Sequence, residues 1–246
     1  MSYTNIQLTE KEQRNFDKGT QWAKDNATEV TPEGYYWVEA RDKDTGDRHY
    51  TEKNRGVGDI KGVVIHDTEG WTGGARTFQR RRASAHYGIE RSGLITQMVP
   101  EKDVAWHAGK WSVNDYTIGI EHAGFADDSV VGRFLGYGEN QLNESAKLVA
   151  SILKRYGLPP TREYVFSHGE VGGCKGSQHA KPGQPRFEQT HGGSSCHYDP
   201  GPYWDWDDYM KRVRHYFYGG NVLLVGVIVG SAILAIGALT YRGLRG

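Results

Sequence analysis

From Lys61 onward the chain alternates short apolar runs with amphipathic stretches, and the residues before it are mostly polar. GVVIH (62–66) is a brief unbroken apolar run closed by a histidine, the pattern of a buried strand. Gly73 and Gly74 lead into a predicted helix through Phe78 and Arg82, and HYGIE and LITQMV flank Arg91-Ser92-Gly93 as a β-hairpin with a short glycine turn. TIGIE (117–121) predicts another strand. Leu142, Ala146, Val149, Leu153 and Tyr156 fall on one helical face, and Gly157 with Pro159 and Pro160 ends that helix. REYVFSH (162–168) predicts the next strand, the glycine-rich residues 170–198 a long functional loop, and Trp204 to Tyr218 a final helix. Strands alternating with helices indicate an α/β domain over residues 60–218, with a central mixed β-sheet flanked by helices.

The two ends of the chain read differently. Residues 1–59 form an N-terminal extension with a short, weakly packed helix, since Thr9 and Glu12 have capping-box spacing and few apolar residues follow. Tyr35 to Glu39 could add a strand, and the charged stretch from Arg41 to Arg55 reads as a turn or exposed loop. Val222 to Thr240 carries no charge, and at about 1.5 Å per residue it covers roughly the 30 Å of a hydrocarbon core. It predicts one C-terminal transmembrane helix within residues 219–246, a single-pass anchor in a lipid bilayer. Gly226 and Gly230 have the GxxxG spacing that supports helix–helix self-association. Basic residues on both sides, Lys211, Arg212 and Arg214 before and Arg242 and Arg245 after, leave its orientation open. The polar N-terminus has no basic segment followed by an apolar run, so it does not read as a secretory signal.

Composition changes this picture little. Lys+Arg and Asp+Glu are equal at 30 each, so charge gives no case for a nucleic-acid partner. The 33 glycines fit long loops, because the apolar fraction is ordinary. The two cysteines, Cys174 and Cys196, could pair in an oxidising compartment, which their spacing does not decide.

Position singles out three candidate ligands. His66 and His168 each close a predicted strand, and Asp199 opens the DPGP turn before the last helix. Two imidazoles and a carboxylate, with water in the fourth position, make a catalytic zinc site. Glu121 closes TIGIE, where an ordinary surface ion pair is poorly placed. Six blocks then carry a specific resemblance: IHDTEG (65–70), SAHYGIERSG (84–93), AWHAG (105–109), TIGIEHAG (117–124), SHGEV (167–171) and HYDPGPYWDW (197–206). In order and context they resemble the type-2 N-acetylmuramoyl-L-alanine amidases, the superfamily of phage amidase lysozymes and animal peptidoglycan recognition proteins.

The resemblance implies that His66, His168 and Asp199 bind Zn2+ and that Glu121 activates water. It also implies that His197, standing where the family often has Lys, donates to the developing oxyanion. Cys196 is then not a ligand. Where some relatives have a Tyr before the histidine of the second block, this chain has Ala85, which makes Glu121 more necessary. His86, Trp106 and His107 resemble residues lining the substrate groove, although packing around Trp106 explains His107 equally well. Arg80, Arg81 and Arg82 either meet stem-peptide carboxylates or are simply solvated. The implied reaction is zinc-dependent hydrolysis of the amide between N-acetylmuramic acid and L-alanine in peptidoglycan, with no covalent intermediate, for phage-type lysis or penetration of the wall. The rival readings are a non-catalytic peptidoglycan-binding module and a membrane-acting virion protein.

Overall fold

The computed structural model describes residues 8–125, 136–171 and 199–219. Among the described residues there are nine short strands: β1 (Glu29–Val30), β2 (Tyr36–Trp37), β3 (Tyr50–Thr51), β4 (Gly62–Asp67), β5 (Tyr87–Ile89), β6 (Ile95–Gln97), β7 (Val104–Ala105), β8 (Thr117–His122) and β9 (Val165–Ser167). The helices are α1 (Glu10–Asn26), α2 (Ala75–Phe78), α3 (Trp111–Asn114), α4 (Glu139–Tyr156) and α5 (Trp206–Phe217). One sheet runs in the order β1-β2-β6-β5-β8-β4-β9, and β3 pairs with β7 separately. The centre is parallel: β4 lies between β8 and β9, and β8 between β4 and β5. The β5–β6 hairpin is antiparallel, which makes the sheet mixed.

Every residue of β4 and β8 is buried, as expected where parallel strands are covered on both faces. The period-2 alternation of a strand then decides which face each residue serves. Val63, Ile65, Ile118 and Ile120 join the core formed with α4 and α5, which includes Leu142, Val149, Leu153, Tyr209 and Val213. Val64 belongs to a second cluster with Ala108, Val113, Phe166 and Val171 on the opposite face. His66 and Glu121 follow Val64 and Gly119 by two residues, so both point to that opposite face. They are also direct register partners across the β4–β8 pair.

The N-terminal residues contribute to both sheets. β2 pairs in parallel with β6, and Val38, Ala40 and Tyr50 pack with Ala75, Phe78, Ala85, Met98, Val99 and Ala105 in a third buried cluster. The Thr9–Glu12 capping box is formed at the start of α1, which buries Phe16, Gly19 and Ala23 and sets Phe16 edge-on against Trp71 at 4.9 Å. α2 stops at Phe78, short of Arg82, and leaves Arg80, Arg81 and Arg82 exposed.

Two expectations need correction. No helix among the described residues is long and apolar enough to cross a membrane, so the expected transmembrane helix and single-pass membrane location are withdrawn. The one described helix of 18 residues, α4, is made amphipathic by Glu139, Glu144, Lys147, Lys154 and Arg155. Residues 222–240, with Gly226 and Gly230, lie outside the described residues. Arg55, read as part of an exposed charged loop, is instead buried.

A close backbone approach fixes one glycine. A Cβ on Gly88 of β5 would collide with the Gly73 carbonyl and sit 2.9 Å from Thr96 Oγ1. The opposing Gly73 amide donates to Glu90 Oε1 at 2.9 Å, which holds the two segments together. Gly88→Ala is expected to destabilise the protein by about 1–3 kcal/mol, read as a lower denaturant midpoint. An unchanged midpoint would mean the approach is slack.

Candidate metal centre

Three parallel strands deliver the site at their C-terminal ends, where open α/β sheets place their ligands. His66 is the penultimate residue of β4, and Glu121 holds the same place in β8. His168 opens a single 3-10 turn directly after β9. That turn is built locally: Ser167 accepts from the Glu170 amide at 3.1 Å, and Glu170 accepts in return from the Ser167 amide at 2.7 Å. Arg162 holds the Glu170 carboxylate at 2.6 Å. The Gly169 amide donates to the Asp199 carbonyl at 3.1 Å, which brings the segment before α5 against the turn.

The structure therefore brings together residues spread over more than half the chain. His66, His168 and Asp199 are all buried, and each offers one ligand atom within 4.8 Å of the others. The Asp199 carboxylate spans the two imidazoles, with Oδ2 3.2 Å from His66 Nδ1 and Oδ1 3.2 Å from His168 Nδ1. The two rings meet edge-on at 4.5 Å.

Glu121 lies beside them, buried, and its Oε2 has no hydrogen-bond partner among the described residues. Burial first, and then the negative charges of Asp199 and Asp67, push its carboxyl well above the usual range. Asp67 is raised to about 8 by burial and by Asp199, although the Tyr137 hydroxyl donates to its Oδ2 at 2.7 Å. Three carboxylates crowded in a buried pocket repel one another and lose hydration. A divalent cation between the imidazoles and Asp199 relieves both costs, so the donor set and the unpartnered carboxylate oxygen fit a metal ion.

The other expected site residues are placed less uniformly. His107 lies directly behind His66, with its Nδ1 3.0 Å from His66 Nε2. Burial, followed by the neighbouring histidines, holds its pKa well below the ordinary value, so the ring is neutral. Trp106 is half-buried and donates from Nε1 to Thr51 Oγ1 at 3.0 Å, which ties it to β3. His86 does not reach a groove surface. It is fully buried, accepts at Nδ1 from the Gly119 amide at 3.0 Å, and contacts Arg55 Nη2 through Nε2 at 2.7 Å. His197, Cys174 and Cys196 lie outside the described residues.

Sequence reasoning passed over three residues. Asp67 was in plain view beside His66 in IHDTEG. His122, next to Glu121, is buried with its pKa driven down to about 3, chiefly by burial, and bridges His66 O at 2.9 Å and Ser145 Oγ at 2.7 Å. Arg55 gave no signal within its charged stretch.

Fold and site together define an α/β protein with a candidate metal-hydrolase centre at the C-terminal ends of the parallel strands of a mixed sheet. The family model described as N-acetylmuramoyl-L-alanine amidase matches residues 56–184, just over half of the 246 residues, and the chain belongs to that family. It is an amidase that acts on peptidoglycan. It is 38% identical over 159 residues to N-acetylmuramoyl-L-alanine amidase A of Achromobacter lyticus, covering 62% of this chain and 82% of that protein. With the 1,6-anhydro-N-acetylmuramyl-L-alanine amidase AmpD of Haemophilus influenzae it shares 32% identity over 139 residues, 54% of this chain and 60% of that one. A solved complex of the Escherichia coli amidase AmiD with anhydro-N-acetylmuramic acid-L-Ala-D-gamma-Glu-L-Lys is similar at 27% identity and a TM-score of 0.45, covering 63% of this chain and 57% of that one. The chain thus spans under two thirds of the latter two proteins.

Proposed function

We propose that this chain is a zinc amidase cutting the bond between the lactyl carbonyl of N-acetylmuramic acid and the amine of L-alanine, with His66, His168 and Asp199 as the metal ligands. The observation that carries this reading is the convergence of those three donors beside the buried carboxylate of Glu121. When bound, zinc supplies a Lewis acid that polarises the scissile carbonyl and acidifies water. Glu121 is the proton carrier: as carboxylate it takes a proton from the attacking water, and as acid it returns one to the leaving amine. Burial and the charges of Asp199 and Asp67 raise its proton affinity, the direction that favours a proton carrier. Asp199 turns one oxygen to each imidazole and fixes their relative orientation. His197 is the proposed oxyanion donor, on the strength of its place two residues before Asp199. Residues 60–218 are the proposed catalytic unit, and phage-type breakdown of the wall is its proposed use.

The test is made on the purified full chain. About one equivalent of zinc should co-purify, and digestion of peptidoglycan should release peptides with new L-alanine amines. New reducing sugar ends without new amines would show a glycosidase and overturn the reading. Retained activity after exhaustive zinc removal would overturn the metal assignment alone.

A further inference from the structure

A histidine can ligate a metal through either ring nitrogen, and which one is available depends on where its single proton sits. Behind His66 a chain of hydrogen bonds fixes that choice. Thr117 Oγ1 lies 2.6 Å from the Val113 carbonyl, which can only accept, so the hydroxyl proton points there. The same oxygen lies 3.1 Å from His107 Nε2 and must accept from it. A neutral His107 carrying its proton on Nε2 presents a lone pair at Nδ1. That atom is 3.0 Å from His66 Nε2 and therefore takes the His66 proton. His66 is left with its Nδ1 lone pair turned to Asp199, 3.2 Å away. Two acceptors at that distance repel unless a cation lies between them.

The backbone holds this chain in place. Gly119 of β8 packs flat against the His107 ring, and a Cβ there would sit 2.7 Å from His107 Nδ1. Thr117 and Gly119 are both on β8, four residues and two residues before Glu121, so the strand that carries the proposed base also carries the relay.

We propose that His107 is a positioning residue, not a substrate contact: with Thr117 and the Val113 carbonyl it locks His66 in the Nε2-protonated tautomer that offers Nδ1 to the metal. This rests on the zinc reading above. It assigns Thr117 a role through its hydroxyl and Gly119 a role through its missing side chain.

The experiment uses the full chain and two measurements. In the metal-free parent, ring nitrogen chemical shifts should show His66 protonated at Nε2 and His107 protonated at Nε2. Zinc affinity, measured by competition with a chromophoric chelator, should fall about 10–100-fold in His107→Phe and in Thr117→Val, the usual effect of losing a partner behind a metal ligand. His107→Asn, whose amide oxygen can still accept from His66, should recover part of the loss. A His66 ring protonated at Nδ1 in the parent would overturn the proposal, with no variant needed to fold. So would a His107→Phe protein that binds zinc as tightly as the parent. If the parent itself fails to bind zinc, the zinc reading falls, and the ring tautomers still judge the relay.

Discussion

Glu121→Gln should retain zinc and fold yet lose roughly 10²–10⁴-fold in kcat, the usual worth of a positioned general base. The carboxamide has nearly the shape of the carboxylate but cannot take a proton. The substitution also separates chemistry from stability. Glu121 is buried beside Asp67 and Asp199, whose charges raise its carboxyl pKa after burial has done so. Replacing it with a neutral group removes a repelled, desolvated charge, so the thermal midpoint should hold or rise. The lost turnover then cannot be ascribed to unfolding. The measurement is steady-state release of L-alanine amines by the zinc-replete variant, alongside metal content and thermal unfolding. Turnover near that of the parent in a zinc-replete Glu121→Gln protein would remove Glu121 from the mechanism.

The pairing of His66 with Glu121 shows where sequence reading succeeds and where it stops. GVVIH and TIGIE declare themselves as buried strands, because parallel strands covered on both faces need uninterrupted apolar residues. The amphipathic period of Leu142, Ala146, Val149 and Leu153 likewise announces α4. Which strands are neighbours, and in what register, is set by packing between distant segments, so the adjacency of His66 and Glu121 appears only in the sheet. His107 illustrates a second limit. Its block is recognisable, but whether its ring faces substrate or backs a ligand depends on a hydrogen bond to Thr117, ten residues away. The apolar run at 222–240 lies outside the described residues, among which no helix is long and apolar enough to cross a membrane.

Arg55→Met should destabilise the protein by roughly 3–5 kcal/mol, the range for removing one partner from a buried charged network. The guanidinium sits where polar mainchain from several segments converges. Its Nη1 donates to the carbonyls of Asn114 and Asp115, each at 3.1 Å, and of Thr117 at 3.0 Å. Its Nη2 donates to Glu101 O at 2.8 Å and Asp103 O at 2.5 Å, beside His86 Nε2. Burial costs the cation enough to pull its pKa down to about 10, opposed in part by the nearby Tyr156, Asp115, Asp103 and Glu101 groups. Methionine supplies an unbranched apolar side chain and none of the donors, so these buried carbonyls would be left unsatisfied. Lysine should recover only part of the loss, because a single ammonium cannot reproduce the planar fork that reaches both groups of acceptors. Urea unfolding of the metal-free full chain measures the effect, keeping zinc linkage out of the comparison. A midpoint within the equivalent of about 0.5 kcal/mol of the parent would show the network to be dispensable. The loss should also reach the site, since Arg55 ties down the Thr117 carbonyl at the start of β8, the strand on which Gly119 carries the His107 ring and Glu121 faces His66.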